Sequence, residues 1–243
     1  MILRGESRTQ RGPGRPLVLA HRGVRAGALE NTVAAFEAAD GAGADGVELD
    51  VRRTADGALV VVHDPLLGDG RIICETMSGD LPTSVPSLSE AIAACSGVVD
   101  VEAKDLPHEP GFDPHRLTAV DAARVLVELD EADRCWISSF HPDALAAIRS
   151  NVEAVRTGLL MLHIADARAE VAAAVASCHV ALHPHDPLVT AELVDLAHGV
   201  GLDVYAWTVD DPDRVGELAT FGVDGIISDD PAAVRAALDR PDA

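Results

Sequence analysis

Short apolar runs recur along the chain, and nearly every one is followed by a segment with helical spacing. Leu17 to Ala20 is a buried-strand pattern that stops at His21-Arg22-Gly23. Val33 to Gly41 has helical spacing, with Asn31 or Thr32 placed to cap it. Gly46 to Val51 is the next strand, and Thr54-Ala-Asp56-Gly57 is a hairpin turn into Ala58 to Val62. Residues 66–86 show no period and read as an excursion or lid. A helix then runs from Ser87 to about Cys95. Strands are expected at Val98–Ala103, Cys135–Ser138, Val155–Met161, His179–Leu182, Leu202–Ala206 and Val223–Ile227. Helices are expected at Leu117–Leu129, Pro142–Ser150, Ala165–Ser177, Thr190–Gly199, Asp211–Phe221 and Pro231–Leu238. Setting aside the hairpin arm at Ala58, the pattern predicts eight βα units, which suits an α/β fold of the closed (β/α)8 TIM-barrel kind with a short hairpin insertion after the second strand. A doubly wound open sheet is the runner-up, but no glycine-rich phosphate loop follows any strand. Residues 1–15 are polar and read as a flexible tail, leaving 16–243 as one barrel domain.

Composition narrows the function. The chain is 48% hydrophobic with only 3% aromatics, so Ala, Val and Leu build the core. Forty acidic residues against nineteen basic give a net charge of -21. That surface repels nucleic acid and anionic membranes, so neither a nucleic-acid partner nor stable membrane association is expected. No apolar run is long enough to span a bilayer, the N-terminus lacks a signal-peptide core, and the four cysteines have no zinc or disulfide spacing. These features predict a cytoplasmic protein.

Gly46-Val-Glu48-Leu-Asp50-Val is the stretch with chemical content. A strand puts residues two apart on one face, so Glu48 and Asp50 point the same way. Two adjacent carboxylates need a cation or a shared proton unless they are solvated. Alone, an E-x-D strand is more often a solvated surface. Barrel active sites, however, lie at the carboxyl ends of the strands. There this chain places His21 and Arg22, then Glu48 and Asp50 with His63 from the hairpin. Glu102 and Lys104 follow, then His183 and Trp207. A single histidine, lysine or tryptophan at such a position is most often structural. Jointly, three carboxylates, two histidines, an arginine and a lysine suit attack at phosphorus in a phosphodiester. Hard carboxylate oxygens match Mg²⁺ or Ca²⁺. Arg22 and Lys104 can neutralise phosphoryl charge, and His21 and His63 can share the proton transfers.

Several blocks carry a family likeness: His21-Arg22-Gly23, Glu30-Asn31-Thr32, Gly46 to Val51, Val62-His63-Asp64, Glu102-x-Lys104, Ser139-Phe140, Trp207-Thr-Val and Gly222 to Asp229. In order, from Leu17 to Pro231, they resemble the glycerophosphodiester phosphodiesterases. The resemblance implies a metal-binding barrel with Glu48, Asp50 and Glu102 as ligands. It implies His21 and His63 as the acid/base pair, and Arg22 and Lys104 on the phosphate. The expected substrate is a small glycerophosphodiester, cleaved to sn-glycerol 3-phosphate and an alcohol such as choline or ethanolamine. Glu30, Asn31, His183 and Trp207 are expected in the substrate pocket or supporting it. Leu66-Leu-Gly-Asp-Gly-Arg71 departs from the family's usual stretch after the His-Asp pair, and the segment up to Pro86 is short. A lysophospholipase D-like diesterase, a non-catalytic phosphate-binding barrel and a sugar-phosphate isomerase or aldolase are the competing readings.

Overall fold

The structure is a computed structural model that describes residues 15–25 and 27–240. The tail expected at residues 1–15 falls almost wholly outside the described residues. Its last member, Arg15, is tied down: its guanidinium donates to the Arg235 carbonyl at 3.0 Å and pairs with Asp239 at 2.7 Å.

The strands are β1 (Leu17–His21), β2 (Gly46–Arg53), β3 (Leu59–Val61), β4 (Val98–Ala103), β5 (Cys135–Ser139), β6 (Arg156–Met161), β7 (Ala181–Pro184), β8 (Asp203–Ala206) and β9 (Gly225–Ser228). All but β3 pair in parallel, in chain order, and β1 pairs with both β2 and β9, which closes the ring. β3 runs antiparallel on the far end of β2, outside the ring, pairing Val51 with Val61 and Arg53 with Leu59. The helices are α1 (Val33–Gly41), α2 (Leu88–Ala94), α3 (Leu117–Glu128), α4 (Pro142–Asn151), α5 (Ala167–Ala176), α6 (Ala191–His198), α7 (Pro212–Phe221) and α8 (Pro231–Leu238). This is the eight-unit barrel that the pattern predicts.

Helix starts follow from their caps. Ser87 and Glu90 form a reciprocal capping box on α2, and Thr32, Asp166, Thr190, Asp211 and Asp230 accept backbone N–H bonds at their helix starts. Of the two candidates at α1, Thr32 is the cap, because the Asn31 side chain is committed elsewhere.

Strand alternation divides the core. Outward positions such as Val18, Val47, Leu49, Val99, Val101, Ile137 and Val204 pack under the helices in two large clusters. Inward positions form a smaller cluster of Leu19, Trp136, Ala181, Tyr205 and Ile227. The Tyr205 ring lies 5.2 Å from Trp136 and 5.0 Å from His183, centroid to centroid. Space for those rings comes from missing side chains. A Cβ on Gly225 would sit 2.2 Å from Tyr205 Cδ1, and one on Gly158 would sit 2.5 Å from His183 Nε2.

The 66–86 excursion is more firmly held than a loose lid. Leu66 and Ile72 bridge, two 3-10 turns follow at Ile73–Glu75 and Ser78–Asp80, and Ile73 is buried. Asp56 fastens it to the hairpin by accepting from the Ser78 hydroxyl at 2.7 Å and its backbone N–H at 3.0 Å. Among the described residues no helix is long and apolar enough to cross a membrane.

Gly225→Ala should destabilise the barrel by about 1–3 kcal/mol, the usual cost of overfilling a packed core. Chemical denaturation of the variant beside the unmodified chain measures it, and an unchanged midpoint would show that the Tyr205 layer can shift.

Candidate active site at the carboxyl ends of the strands

Register assembles the carboxylates. β2 and β4 pair Glu48 with Asp100 and Asp50 with Glu102, so four inward acids lie on adjacent strands. β1 sets His21 opposite Glu48, and β5 sets Ser138 opposite Glu102. Glu48, Asp50 and Glu102 each present an oxygen within 4.8 Å of the others, and all three are buried.

Buried anions need compensation. Lys104, itself buried, places Nζ 2.8 Å from Asp50 Oδ1 and 2.6 Å from Glu102 Oε1. Arg22 Nε lies 3.3 Å from Asp50 Oδ2. Asn31 donates to Asp50 Oδ2 at 2.7 Å and accepts from the Asp50 N–H at 3.3 Å. The consequence is unequal. Burial acts to raise the pKa of Asp50, but Lys104, His63 and Arg22 outweigh it and hold the carboxyl at about 2. Glu48 is pushed well above the usual carboxylate range, by burial first and then by Asp50, Glu102 and Asp100. Burial likewise raises Glu102. Glu48 Oε1 has no hydrogen-bond partner in the protein. Three converging hard oxygens, one of them unsatisfied, fit a divalent cation such as Mg²⁺ or Ca²⁺.

The chain bends sharply to deliver the flanking groups. Arg22 and Asn31 adopt left-handed backbone, φ 59° and 55°. Such conformations are uncommon outside glycine and occur where surroundings enforce them. Here the Arg22 N–H donates to the Glu48 carbonyl at 2.9 Å and to Glu48 Oε2 at 3.1 Å, while Asn31 N–H donates to the Arg22 carbonyl at 2.9 Å. Gly23, at φ 79°, passes so close to α1 that a Cβ would meet Ala35 at 2.8 Å.

Both candidate acid/base histidines carry a carboxylate on the same ring nitrogen. His21 Nδ1 is 2.7 Å from Asp229 Oδ1, and His63 Nδ1 is 2.7 Å from Asp64 Oδ1. A carboxylate accepts, so each Nδ1 carries a proton and each Nε2 is left free for other work. His21 Nε2 faces Glu48 Oε2 at 3.9 Å. Burial lowers the pKa of His63, and the Lys104 and Arg22 charges add to that against the pull of Asp50 and Asp64. Arg52, buried, steadies His63 by donating to its carbonyl at 2.7 Å while pairing with Glu109 at 2.9 Å.

Glu30 joins Arg22 at 2.9 Å and Arg25 at 3.3 Å, and Arg25 pairs in turn with Asp229. A continuous line of opposite charges therefore links Asp50 to His21. Arg25 and Asp100 carry no signal in the sequence reading, and Asp229 enters it only as the last residue of the Gly222 to Asp229 block; the cap of α8 is its neighbour Asp230.

Two placements are more specific than the sequence gives. With no phosphate present, the Lys104 ammonium pairs with the carboxylates, the nearest anions to it. His183 does not reach the mouth. β7 runs two residues further than the sequence suggests, to Pro184, so His183 is an inward strand residue with no exposure, 3.0 Å from Asp100 Oδ2. Its carbonyl accepts from Trp207 Nε1 at 2.6 Å, and Trp207 packs against Phe140 and His185 at the mouth. His141 serves structure, accepting from the Asp143 N–H at the start of α4.

Known proteins share this arrangement's sequence and shape. The chain matches the Glycerophosphoryl diester phosphodiesterase family over residues 21–71 and 69–233. It is 30% identical to a glycerophosphodiester phosphodiesterase of Caldanaerobacter subterraneus subsp. tengcongensis, over 88% of this chain and 94% of the relative. An Oleispira antarctica phosphodiesterase, solved in complex with the product sn-glycerol-3-phosphate, superposes with a TM-score of 0.82 at 26% identity, covering 93% of this chain and 98% of that one. A Thermotoga maritima glycerophosphodiester phosphodiesterase superposes with a TM-score of 0.76 at 25% identity, covering 92% and 98%. A family match over most of the barrel, carrying the paired histidines and the buried acids of β2 and β4, settles the classification: the chain belongs to the glycerophosphoryl diester phosphodiesterase family.

Proposed function

We propose that this chain hydrolyses small glycerophosphodiesters to sn-glycerol 3-phosphate and an alcohol, with Glu48, Asp50 and Glu102 holding Mg²⁺ or Ca²⁺. The observation that carries this reading is the convergence of those three buried carboxylates beside two histidines, each with an aspartate on Nδ1. The product named for the Oleispira antarctica neighbour supports the substrate class. A bound divalent cation would supply Lewis-acid polarisation of a non-bridging phosphoryl oxygen.

The chain's own residues do the rest. Arg22 lies against Asp50 with its guanidinium partly open to the mouth, where it can pair with an equatorial phosphoryl oxygen. Lys104 balances the carboxylates when the phosphate is absent, and the same ammonium can follow the charge that develops at phosphorus. One imidazole Nε2 takes the proton from the attacking oxygen as the new P–O bond forms. The other gives a proton to the alcohol oxygen as its P–O bond breaks. Asp229 and Asp64 keep Nδ1 protonated in both rings, so the neutral ring accepts at Nε2 and the ring that donates does so as the imidazolium, which its aspartate favours. Trp207 with Phe140 gives the mouth an aromatic wall. The free thiols Cys74, Cys95, Cys135 and Cys178 and the acidic surface support a cytoplasmic enzyme acting on soluble diesters rather than on nucleic acid or anionic membrane.

Release of glycerol 3-phosphate from a panel of glycerophosphodiesters, with and without chelator, tests the assignment. Turnover that stops on chelation and returns with Mg²⁺ or Ca²⁺ is expected, and chelator-resistant turnover would remove the metal from the scheme. His63→Ala should lower kcat by about 10²–10⁴-fold, the range for a general acid or base, with metal binding intact. Glu48→Gln should weaken metal affinity on the order of tenfold or more, since such affinity follows ligand charge. Titration of the chelated protein reads that directly.

A further inference from the structure

The two acid/base histidines are held by different means. His21 ends β1, a strand paired on both sides within the ring. His63 lies past the end of β3, outside any strand. Its ring bonds Asp64, whose side chain is 74% exposed and so anchors it weakly. The placement of His63 therefore depends on what holds its backbone. The Val62 N–H donates to the Asp50 carbonyl at 2.9 Å, and the His63 carbonyl accepts from Arg52 Nε at 2.7 Å.

Arg52 follows Asp50 by two residues along β2 and is 6% exposed. A buried guanidinium needs an anion. Glu109 supplies it at 2.9 Å, from the segment that joins β4 to α3. That segment is firmly built. The Glu109 N–H donates to the Leu106 carbonyl at 3.0 Å, and the Glu109 carbonyl accepts from the Phe112 N–H at 3.3 Å. Asp105, buried, pairs with Arg116 at 3.1 Å and accepts from the Asp113 N–H at 3.3 Å. The Arg116 guanidinium lies over the Phe112 ring, 4.7 Å from its centroid. A second contact joins the same parts. Gly111, at φ 89°, runs so near the excursion after His63 that a Cβ there would lie 3.2 Å from Cys74 Cβ. Pro65, Ile73 and Cys74 thus face Pro110 and Gly111 across a narrow cleft that Arg52 also lines.

We propose that residues 105–116 brace His63 through Arg52, so that Arg52 is a positioning residue for the reaction and Glu109 is the group that holds it in place. This rests on the reading of the chain as a phosphodiesterase in which His63 moves a proton. Arg52 acts through the His63 backbone and not on the substrate. Reacting groups must sit close to their productive geometry, and a shift of about 1 Å can cost on the order of 10²-fold in rate. The brace leaves β4 directly after Glu102 and Lys104. It therefore ties a histidine on an arm outside the ring to the strand that carries the carboxylate and its ammonium, and the two keep one mutual geometry.

Paired variants test this. Arg52→Met should lower kcat for glycerol 3-phosphate release about 10- to 100-fold, with metal affinity, titrated after chelation, unchanged. Glu109→Gln should act in the same direction, about 3- to 10-fold, from the usual worth of one hydrogen bond; it decides the matter where Arg52→Met folds poorly. In a His63→Ala background either substitution should cost nothing further, since residues that act as a unit are not additive. A merely structural role would lower the residual activity again and weaken metal binding with it. The imidazole NMR signals of His63, identified by their loss in His63→Ala, should move in Arg52→Met and in Glu109→Gln while those of His21 stay, a readout that needs no substrate. Full kcat in both variants, an added loss in the His63→Ala background, or unmoved His63 signals would overturn the proposal. Failure of the broader functional reading shows separately, as no glycerol 3-phosphate released from any diester by the unmodified chain.

Discussion

The ammonium of Lys104 between Asp50 and Glu102 is the interaction on which the mouth of this barrel depends. Three carboxylates are buried within a few ångströms, and charge of one sign at that density cannot stand in a low-dielectric interior without an answering charge. Lys104 and Arg22 supply it, and Asn31 adds a neutral donor and acceptor. Such an arrangement is a poor way to gain stability, since desolvating ions offsets their mutual attraction. Its persistence points to chemistry. From Asp50 the alternation of sign continues outward through Arg22, Glu30, Arg25 and Asp229 to the His21 ring. The imidazole is therefore oriented by the same electrostatics that hold the acids.

Much of this was legible in the residues and some of it was not, for a physical reason. Period-two alternation tells which face of a strand a side chain takes, so Glu48 with Asp50 and Glu102 with Lys104 could be paired by eye. It does not tell depth along the barrel or register between strands. The sequence places His183 at the mouth because the apolar run before it ends at Leu182, whereas hydrogen bonding carries β7 on to Pro184. Asp100 shares the inward face of Glu102, but only its register with Glu48 brings it to the other acids. Asp229 and Arg25 act across gaps in sequence that no spacing rule covers; the His21–Asp229 contact joins the carboxyl ends of the first and last strands.

Small residues are the counterpart of those charges. The interior holds Trp136, Tyr205 and His183 as a tilted stack because Gly158 and Gly225 face them without side chains. That layer reaches the acids directly, since His183 lies 3.0 Å from Asp100 and Trp136 is the register partner of Asp100 on β5.

His63 is carried by the antiparallel arm β3 and not by any strand of the closed ring. Its carbonyl is pinned by Arg52, and the chain beyond it leaves through Pro65 before returning at Pro86. The ring and one reactive imidazole thus belong to separately adjustable parts. Insertions or deletions within that returning segment cost little in loop entropy. They could reshape the entrance while the acids, Lys104 and His21 keep their places, so that new substrate ranges can be reached by varying a single surface loop on an unchanged catalytic frame.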